Sequence, residues 1–132
     1  MKGRRLPQLG ELELDALEWL WRAGQADVAG THAAIGRRRG ITPNTVGSAL
    51  ERLYRKGLAR REKVSHAFRY SAALGREELA ARRLLDAAGD AKNLASVGLL
   101  SAFVDLVAET DEAALDRLES LIAERRSKRG GA

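Results

Sequence analysis

Apolar residues recur every three or four positions along most of the chain, a spacing that places them on one face of an α-helix. In the first half of the chain this pattern predicts helices over residues 10–23, 26–38 and 42–56. After Gly57 the period changes to two, which predicts two short strands joined by a turn near Ser65. Three helices followed by a hairpin are the elements of a winged helix-turn-helix.

The third predicted helix has one apolar face and one polar face. Thr42 is a favourable N-cap residue, and Pro43 fits the first helical position. At about 100° per residue, the apolar side chains of this helix fall together on one side. Glu51 falls on the polar side, where it is expected to pair with the basic residue four positions later. The rest of the polar side carries Asn44, Thr45, Ser48, Arg52 and Arg55.

A helix with this polar face fits the major groove of B-DNA, where the second helix of a helix-turn-helix reads base edges. Asn can pair with N6 and N7 of adenine, and Thr can offer its methyl group or its hydroxyl. We therefore expect base or groove contacts from Asn44, Thr45, Ser48 and Arg52. The N–H groups at the helix start and the basic side chains are expected to contact the DNA backbone. These candidates are Thr42, Arg55, Arg60, Arg61, Lys63 and Arg69.

The distribution of charge is consistent with an anionic partner. The net charge of the 132 residues is +5, but residues 1–76 hold 15 Lys/Arg against 7 Asp/Glu, whereas residues 77–132 hold 8 against 11. This asymmetry is typical of an anion-binding module joined to a different part. A solvated charged surface would explain the same counts, so charge alone does not decide between them.

Several chemistries lack candidate residues. The chain has no cysteine and only two histidines, which excludes disulfides and thiolate metal sites and argues against any metal. No Gly-rich phosphate loop, His/Asp/Glu cluster or Ser nucleophile motif is present, so neither an enzyme nor a cofactor is expected. The most apolar run, residues 94–107, is too short to cross a bilayer, and the expected location is cytoplasmic without a membrane partner.

The C-terminal part is expected to form helices from Gly75, over residues 94–109 and from about Asp111. The middle helix is apolar over most of its circumference and needs partners on several sides. The economical solution is a second copy of the chain, with helices that interleave across a two-fold axis. The alternative is a monomer whose helices fold onto its own N-terminal part.

Two domains are therefore expected. Residues 1–75 would form the winged helix-turn-helix, and residues 76–132 a helical dimerisation region with a frayed basic tail. The candidate dimer contacts are the apolar residues of the last two helices. They are Leu94, Val97, Leu100, Phe103, Val104, Val107, Leu115, Leu118, Leu121 and Ile122.

Four stretches of the chain carry recognisable motifs. They are "LGELELDALEWLW", "TPNTVGSALERLYRKGLARREK", "HAFRYSAALGREEL" and "LLSAFVDLVAETDEAALDRLESLIAE". In this order, over about residues 9–126, they resemble the penicillinase-repressor family of the BlaI/MecI/CopY type. The most specific pieces are the Thr-Pro-Asn-Thr-Val opening of the third helix and the "RLYRKG" that closes it.

The resemblance implies a homodimeric bacterial repressor, in which the winged helix binds a palindromic operator and the C-terminal helices form the dimer. It implies DNA contacts at Asn44, Thr45 and Arg52, with Thr42 as the cap. Asn44 stands where the best-known members have Lys, which leaves the operator sequence open. Copper-responsive members carry a C-terminal Cys-x-Cys pattern that this chain lacks. Other members are cut by a regulatory protease at an Asn-Phe bond, and the matching bond here is Ala102-Phe103.

Two other functions stay open beside the repressor. A winged-helix regulator of the MarR type would sense a small apolar ligand between its two parts. A protein-interaction adaptor would use the basic face to meet an acidic partner, without a preference for one duplex sequence over another.

Overall fold

The computed structural model describes residues 8–89 and 96–130, which fall into two compact units that divide near residue 86. The first unit begins with helix α1 (Glu11–Ala23) and helix α2, which runs through Val28–Thr31, a π-helical turn at His32–Gly36, and Arg37–Arg39. It continues with helix α3 (Pro43–Arg55), strands β1 (Ala59–Val64) and β2 (Ala67–Ala72), and most of helix α4 (Arg76–Ala88). The second unit contains helices α5 (Val97–Thr110) and α6 (Glu112–Gly130).

The core of the first unit confirms the apolar face predicted for α3. Val46, Leu50 and Leu53 are fully buried in one cluster with Leu17 and Leu20 of α1. Burial of each such aliphatic side chain contributes about 1.5–3 kcal/mol to stability. The mainly α architecture with a two-stranded hairpin, expected from the periodicity, is likewise confirmed.

Helix α2 was predicted in the right place, but its π-helical turn was not. The Asp27 side chain accepts a hydrogen bond from the Gly30 N–H at 2.7 Å and caps the helix as expected. Gly36 closes the π-helical turn where α2 approaches Val46 of α3. Nε2 of His32 donates to the Ile41 carbonyl oxygen at 2.8 Å, which holds the imidazole ring beside Gly36.

The hairpin is an antiparallel pair with a two-residue turn. Val64 pairs with Ala67, so Ser65 and His66 form the turn that the sequence predicted. Ser65 has a φ of 61°, in the left-handed region. The base of the hairpin is attached to the helices through Tyr70, which exchanges backbone hydrogen bonds of 2.8 and 2.9 Å with Ala26.

Glu13 links α1 to α3 in the interior of the first unit. Its side chain is only 5% exposed and lies 2.8 Å from Nζ of Lys56 and 3.3 Å from Nε of Arg52. The carboxylate also accepts a hydrogen bond of 2.8 Å from the Gly10 N–H. Burial acts to raise the pKa of Glu13, but the bonds from Gly10, Lys56 and Arg52 outweigh it and leave the pKa lowered.

The division between the units lies later in the chain than the expected boundary between residues 75 and 76. Leu79 of α4 is buried in the core of the first unit, so the structure groups most of this helix with the winged part. A winged helix-turn-helix formed by residues 1–75 alone stays a prediction.

The second unit leaves large apolar side chains exposed within a single chain. Val97 is 80% exposed and Phe103 44% exposed, and Leu121 and Ile122 of α6 are also exposed. Leu94 lies outside the described residues. The tail that was expected to fray is helical as far as Gly130. No helix within the described residues combines the length and the apolar character needed to cross a membrane.

Replacing Gly36 with Ala tests the close approach of α2 and α3. A Cβ atom there would lie 2.4 Å from Cδ2 of His32 and 3.0 Å from Cγ2 of Val46. We expect the free energy of unfolding, measured by urea titration, to fall by about 1–3 kcal/mol. Gly47→Ala is the control, because its Cβ would meet Val28 at an ordinary 3.5 Å and Ala favours a helix by about 1 kcal/mol. Equal destabilisation by both substitutions would contradict this packing.

Replacing Glu13 with Gln tests the buried ion pairs. At pH 7 we expect the free energy of unfolding to fall by about 1–3 kcal/mol, because two cations lose a charged partner. The lowered pKa of Glu13 means that its contribution is present above the ordinary value of 4.5 and is lost as the pH falls through the folded-state value. The difference between wild type and variant should therefore shrink in urea titrations below about pH 4.5.

The matched control for Glu13 is Glu18→Gln, which removes an exposed ion pair with Arg76. Exposed pairs contribute about 0–1 kcal/mol, so this variant should unfold nearly as wild type does. A Glu13 variant that is no less stable than the Glu18 variant would show that the buried pairs do not hold α1 to α3.

Candidate nucleic-acid interface

The start of α3 is an exposed, capped helix end. Oγ1 of Thr42 accepts a hydrogen bond from the Thr45 N–H at 3.2 Å, as predicted for an N-cap residue. The two threonine hydroxyl oxygens lie 3.0 Å apart. Pro43 occupies the first helical position and is exposed together with Asn44. The N-terminal turn of α3 therefore meets solvent, with its amide and hydroxyl groups accessible.

The structure places the polar residues predicted for α3 on one accessible face. Asn44, Thr45, Ser48, Arg52 and Arg55 are all exposed, while the opposite face of the same helix is buried. Neighbouring members are three or four residues apart or adjacent, so they form a continuous polar stripe along the helix. Their contacts with DNA stay predictions.

The two arginines of α3 differ in how free they are. Arg55 is 73% exposed, and its nearest acidic partner, Glu51, lies 4.0 Å away. Arg52 is 47% exposed and donates from Nε to the buried Glu13. That bond leaves the terminal nitrogens of Arg52 without a hydrogen bond to any residue described in the structure. Arg52 is therefore oriented by the protein and can still present its guanidinium end to solvent.

The hairpin register divides the four predicted wing cations between two faces. Residues that pair across antiparallel strands point to the same side of the sheet. Arg61 pairs with Tyr70 and Lys63 with Phe68, which places these two cations on the side that carries the buried Tyr70. Arg60 and Arg69 lie on the opposite side, where Glu62 is the cross-strand neighbour of Arg69. The structure thus does not bring all four cations together on one surface.

Arg61 belongs to a group of side chains that joins the hairpin to α3, here called the Glu51 cluster. Nη1 of Arg61 donates to both carboxylate oxygens of Glu51, and the Tyr70 hydroxyl donates to Oε1 of Glu51 at 3.0 Å. The guanidinium carbon lies 4.0 Å from the ring centroid of Tyr54 and 4.2 Å from that of Phe68. The Glu51 cluster consists of Glu51, Tyr54, Arg61, Phe68 and Tyr70.

The electrostatics of the Glu51 cluster keep the ion pair charged. The hydrogen bond from Arg61 lowers the pKa of Glu51, and the same bond raises the pKa of the Arg61 guanidinium. Burial raises the pKa of the Tyr70 hydroxyl, and the adjacent Glu51 carboxylate raises it further. Tyr70 therefore stays a neutral donor to an ionised carboxylate near neutral pH.

Most of the Glu51 cluster was not predicted from the sequence. The predicted pair of Glu51 with Arg55 is present at 4.0 Å, but the shorter contact of Glu51 is with Arg61. A signal was present, because a two-residue turn at Ser65 and His66 fixes the pairing of Arg61 with Tyr70. What the sequence could not indicate is how the hairpin folds onto α3, since that depends on contacts between distant segments.

The described residues offer little for other chemistry. No group of three His, Asp or Glu side chains in residues 8–89 and 96–130 could hold a metal ion. The other predicted site residues lie in the second unit, where Val97, Leu100, Phe103, Val104, Leu121 and Ile122 are exposed, and Val107, Leu115 and Leu118 are half-buried. The Ala102–Phe103 bond lies inside α5.

Comparison with known proteins places the chain among repressors. It is 34% identical over 115 residues to "Transcriptional regulator BlaI" of Mycobacterium tuberculosis, in strains CDC 1551/Oshkosh and ATCC 25618/H37Rv, covering 86% of this chain and 83% of the relative. The "Solution structure of the DNA binding domain of the repressor BlaI" is similar in fold, with a TM-score of 0.50 and 22% identity over 59% of this chain and 93% of that chain. Residues 9–124 match the family described as Penicillinase repressor. This family consists of transcriptional repressors, not enzymes, and the chain belongs to it.

Proposed function

We propose that the chain represses transcription by binding an operator in double-stranded DNA, with α3 in the major groove and the hairpin as a wing beside it. The observation that carries the proposal is the exposed polar face of α3, from Asn44 to Arg52, opposite a fully buried apolar face. An α-helix fits the major groove, and the amide, hydroxyl and guanidinium groups on this face are of the kinds that read base edges. Membership of the penicillinase repressor family supports the same function.

In this proposal the two parts of the interface have different roles. Asn44, Thr45 and Ser48 read base edges, and Arg52 joins them with the guanidinium end that Glu13 leaves free. Thr42, Arg55, Arg60, Lys63 and Arg69 are candidates for the DNA backbone, which determines affinity and salt dependence. Bacterial operators lie on DNA in the cytoplasm, and we propose the same location for the protein.

We further propose that the chain binds as a homodimer through α5 and α6. Exposed side chains such as Val97 and Phe103 form an apolar surface that a single chain leaves uncovered. A second copy related by a two-fold axis would cover it, and would present two α3 helices to two half-sites about one helical turn apart. The operator is therefore proposed to be an inverted repeat.

Cleavage by a regulatory protease, which the family resemblance implies, is also a proposal. Ala102 and Phe103 are both exposed in the single chain, but the bond between them lies in the middle of α5. Cleavage there requires the helix to open locally, because a helical peptide bond does not fit an extended substrate site. A dimer interface over Phe103 would slow that opening.

The experiment that tests the proposal is selection of bound duplexes from a random pool, followed by footprinting of the recovered sequence. We expect one inverted repeat to be enriched, with protection on one face of the duplex. Uniform recovery of unrelated duplexes would contradict sequence-specific binding and would favour the adaptor function instead.

Substitutions on the helix and on the wing should affect binding differently. Asn44→Ala or Thr45→Ala should weaken binding to the selected operator by about 1–3 kcal/mol and relax preference at one or two bases. Lys63→Ala should weaken all duplexes alike and reduce the salt slope by about one, because it removes one phosphate contact. Affinities are measured by fluorescence anisotropy over a range of salt. Identical behaviour of the helix and wing variants on operator and random DNA would contradict this division.

Replacing Phe103 with Asp tests the proposed dimer. We expect sedimentation velocity to show a monomer, since two carboxylates would be buried at the centre of the interface. Asp105→Asn, on the same helix, is a control that removes a charge and should leave the dimer intact. An unchanged mass for the Phe103 variant would show that the interface lies elsewhere.

A further inference from the structure

The hairpin is attached to α3 by side chains that the proposed DNA contacts do not explain. We infer that the Glu51 cluster sets the orientation of the wing relative to α3, and that Arg61 is a positioning residue rather than a phosphate contact. The inference rests on the proposed function, because only a DNA-binding protein needs the wing at a defined angle to its reading helix. It also replaces the contact with the DNA backbone that the sequence predicted for Arg61.

The Glu51 cluster spans three elements of the first unit. Glu51 and Tyr54 belong to α3, Arg61 to β1, and Phe68 and Tyr70 to β2. Glu51 receives hydrogen bonds from both strands, through Nη1 of Arg61 and the Tyr70 hydroxyl. A rotation of the hairpin about its base would therefore break bonds to both strands at once.

The guanidinium group of Arg61 is already occupied by contacts within the protein. Its carbon lies 4.0 Å from the ring centroid of Tyr54 and 4.2 Å from that of Phe68, distances typical of cation–π contacts. The Arg61 side chain is only 25% exposed. To contact a phosphate, Arg61 would have to leave two aromatic rings and an ionised carboxylate.

The other three wing cations differ from Arg61. Arg60, Lys63 and Arg69 are exposed, and none of them forms an ion pair or ring contact with a described residue. These three side chains are free to reach phosphates without breaking an internal contact. The structure thus separates the wing cations into three that can bind DNA and one that binds the protein.

The carboxylate of Glu51 lies on the polar side of α3. An acidic residue at this position would repel phosphates unless a nearby cation neutralised it. Arg61 provides that cation by direct contact, and Arg55 lies 4.0 Å away. Removal of Glu51 is expected to raise the affinity for DNA if the residue only repels phosphates. It is expected to lower that affinity if the residue anchors the wing.

The experiment measures the affinity of Glu51→Ala, Arg61→Lys and wild type for the duplex recovered by selection, over a range of salt. We expect Glu51→Ala to bind about tenfold more weakly, although it removes a negative charge. Arg61→Lys should show a similar loss, because a lysine keeps the charge but not the planar group held by two rings and a carboxylate. A phosphate contact at Arg61 would instead survive replacement by Lys, and Glu51→Ala would then bind more tightly than wild type. Either of these results would overturn the inference.

Two further variants serve as controls. Glu62→Ala removes a wing acid that has no ion-pair partner among the described residues, and it should bind as tightly as wild type or more tightly. Lys63→Ala should weaken DNA binding much less in the Glu51→Ala background than in the wild type, since a displaced wing no longer places Lys63 near a phosphate. Additive losses in the double variant would contradict the positioning role.

A measurement without DNA separates this inference from the proposed function. Residual dipolar couplings report the angle between the hairpin and α3 in the free protein, and circular dichroism shows that each variant is folded. We expect the angle to change or broaden in Glu51→Ala and to stay fixed in Glu62→Ala. An unchanged angle would refute the positioning role even if the wild type selects an operator. If the angle changes in Glu51→Ala but the wild type selects no duplex, only the proposed function is refuted.

Discussion

Val46, Leu50 and Leu53 of α3 pack against α1 in the core of the first unit, and this packing determines which side of α3 meets solvent. Each residue of a helix is rotated by about 100° from its neighbour, so a shift of one position would expose these side chains and bury polar ones. Exposure of each buried aliphatic side chain would cost about 1.5–3 kcal/mol of stability, so such a shift is strongly disfavoured. The accessible stripe that begins at Asn44 is therefore a consequence of the core, and its presentation does not depend on a partner.

Two acidic residues extend this constraint from the helix to its surroundings. Glu13 ties α1 to the C-terminal half of α3 through Arg52 and Lys56, and Glu51 ties the hairpin to the same helix through Arg61. Hydrophobic packing fixes the rotation of α3 but resists small sliding motions less strongly, because it is non-directional. Charge-assisted hydrogen bonds have defined geometry and supply the direction that packing lacks. The acids thus define the positions of the elements that flank the reading helix.

Much of the fold could be predicted from the sequence, because local patterns determine it. The N-cap at Thr42 follows from helix-cap chemistry, and the buried face of α3 and the turn at Ser65 and His66 follow from the spacing of apolar and polar residues. The π-helical turn at His32–Gly36 could not be predicted from the spacing of apolar residues, and neither could the close approach of Gly36 to Val46 of α3. The contacts of Arg61 could not be predicted either, because its partners on α3 come within reach only after the hairpin folds onto that helix. Local chemistry indicated which residues are polar or cationic, whereas long-range packing decided which of them remain free.

The internal ion pairs also change how the basic character of the chain is to be interpreted. Residues 1–76 carry 15 Lys/Arg, yet Lys56 and Arg61 are held by buried or half-buried carboxylates, and Arg52 is partly held. A cation whose charge is already balanced by a carboxylate neutralises little of the phosphate charge. It therefore releases few counterions from the DNA and adds little to the salt dependence of binding. Arg60, Lys63 and Arg69 have no ion-pair partner among the described residues and would draw the protein to DNA. Arg55 would add to them, because it is 73% exposed and lies 4.0 Å from its acidic partner Glu51. The held cations instead keep the helix and the wing in register with one another, and a count of basic residues alone overstates the charge available to the duplex.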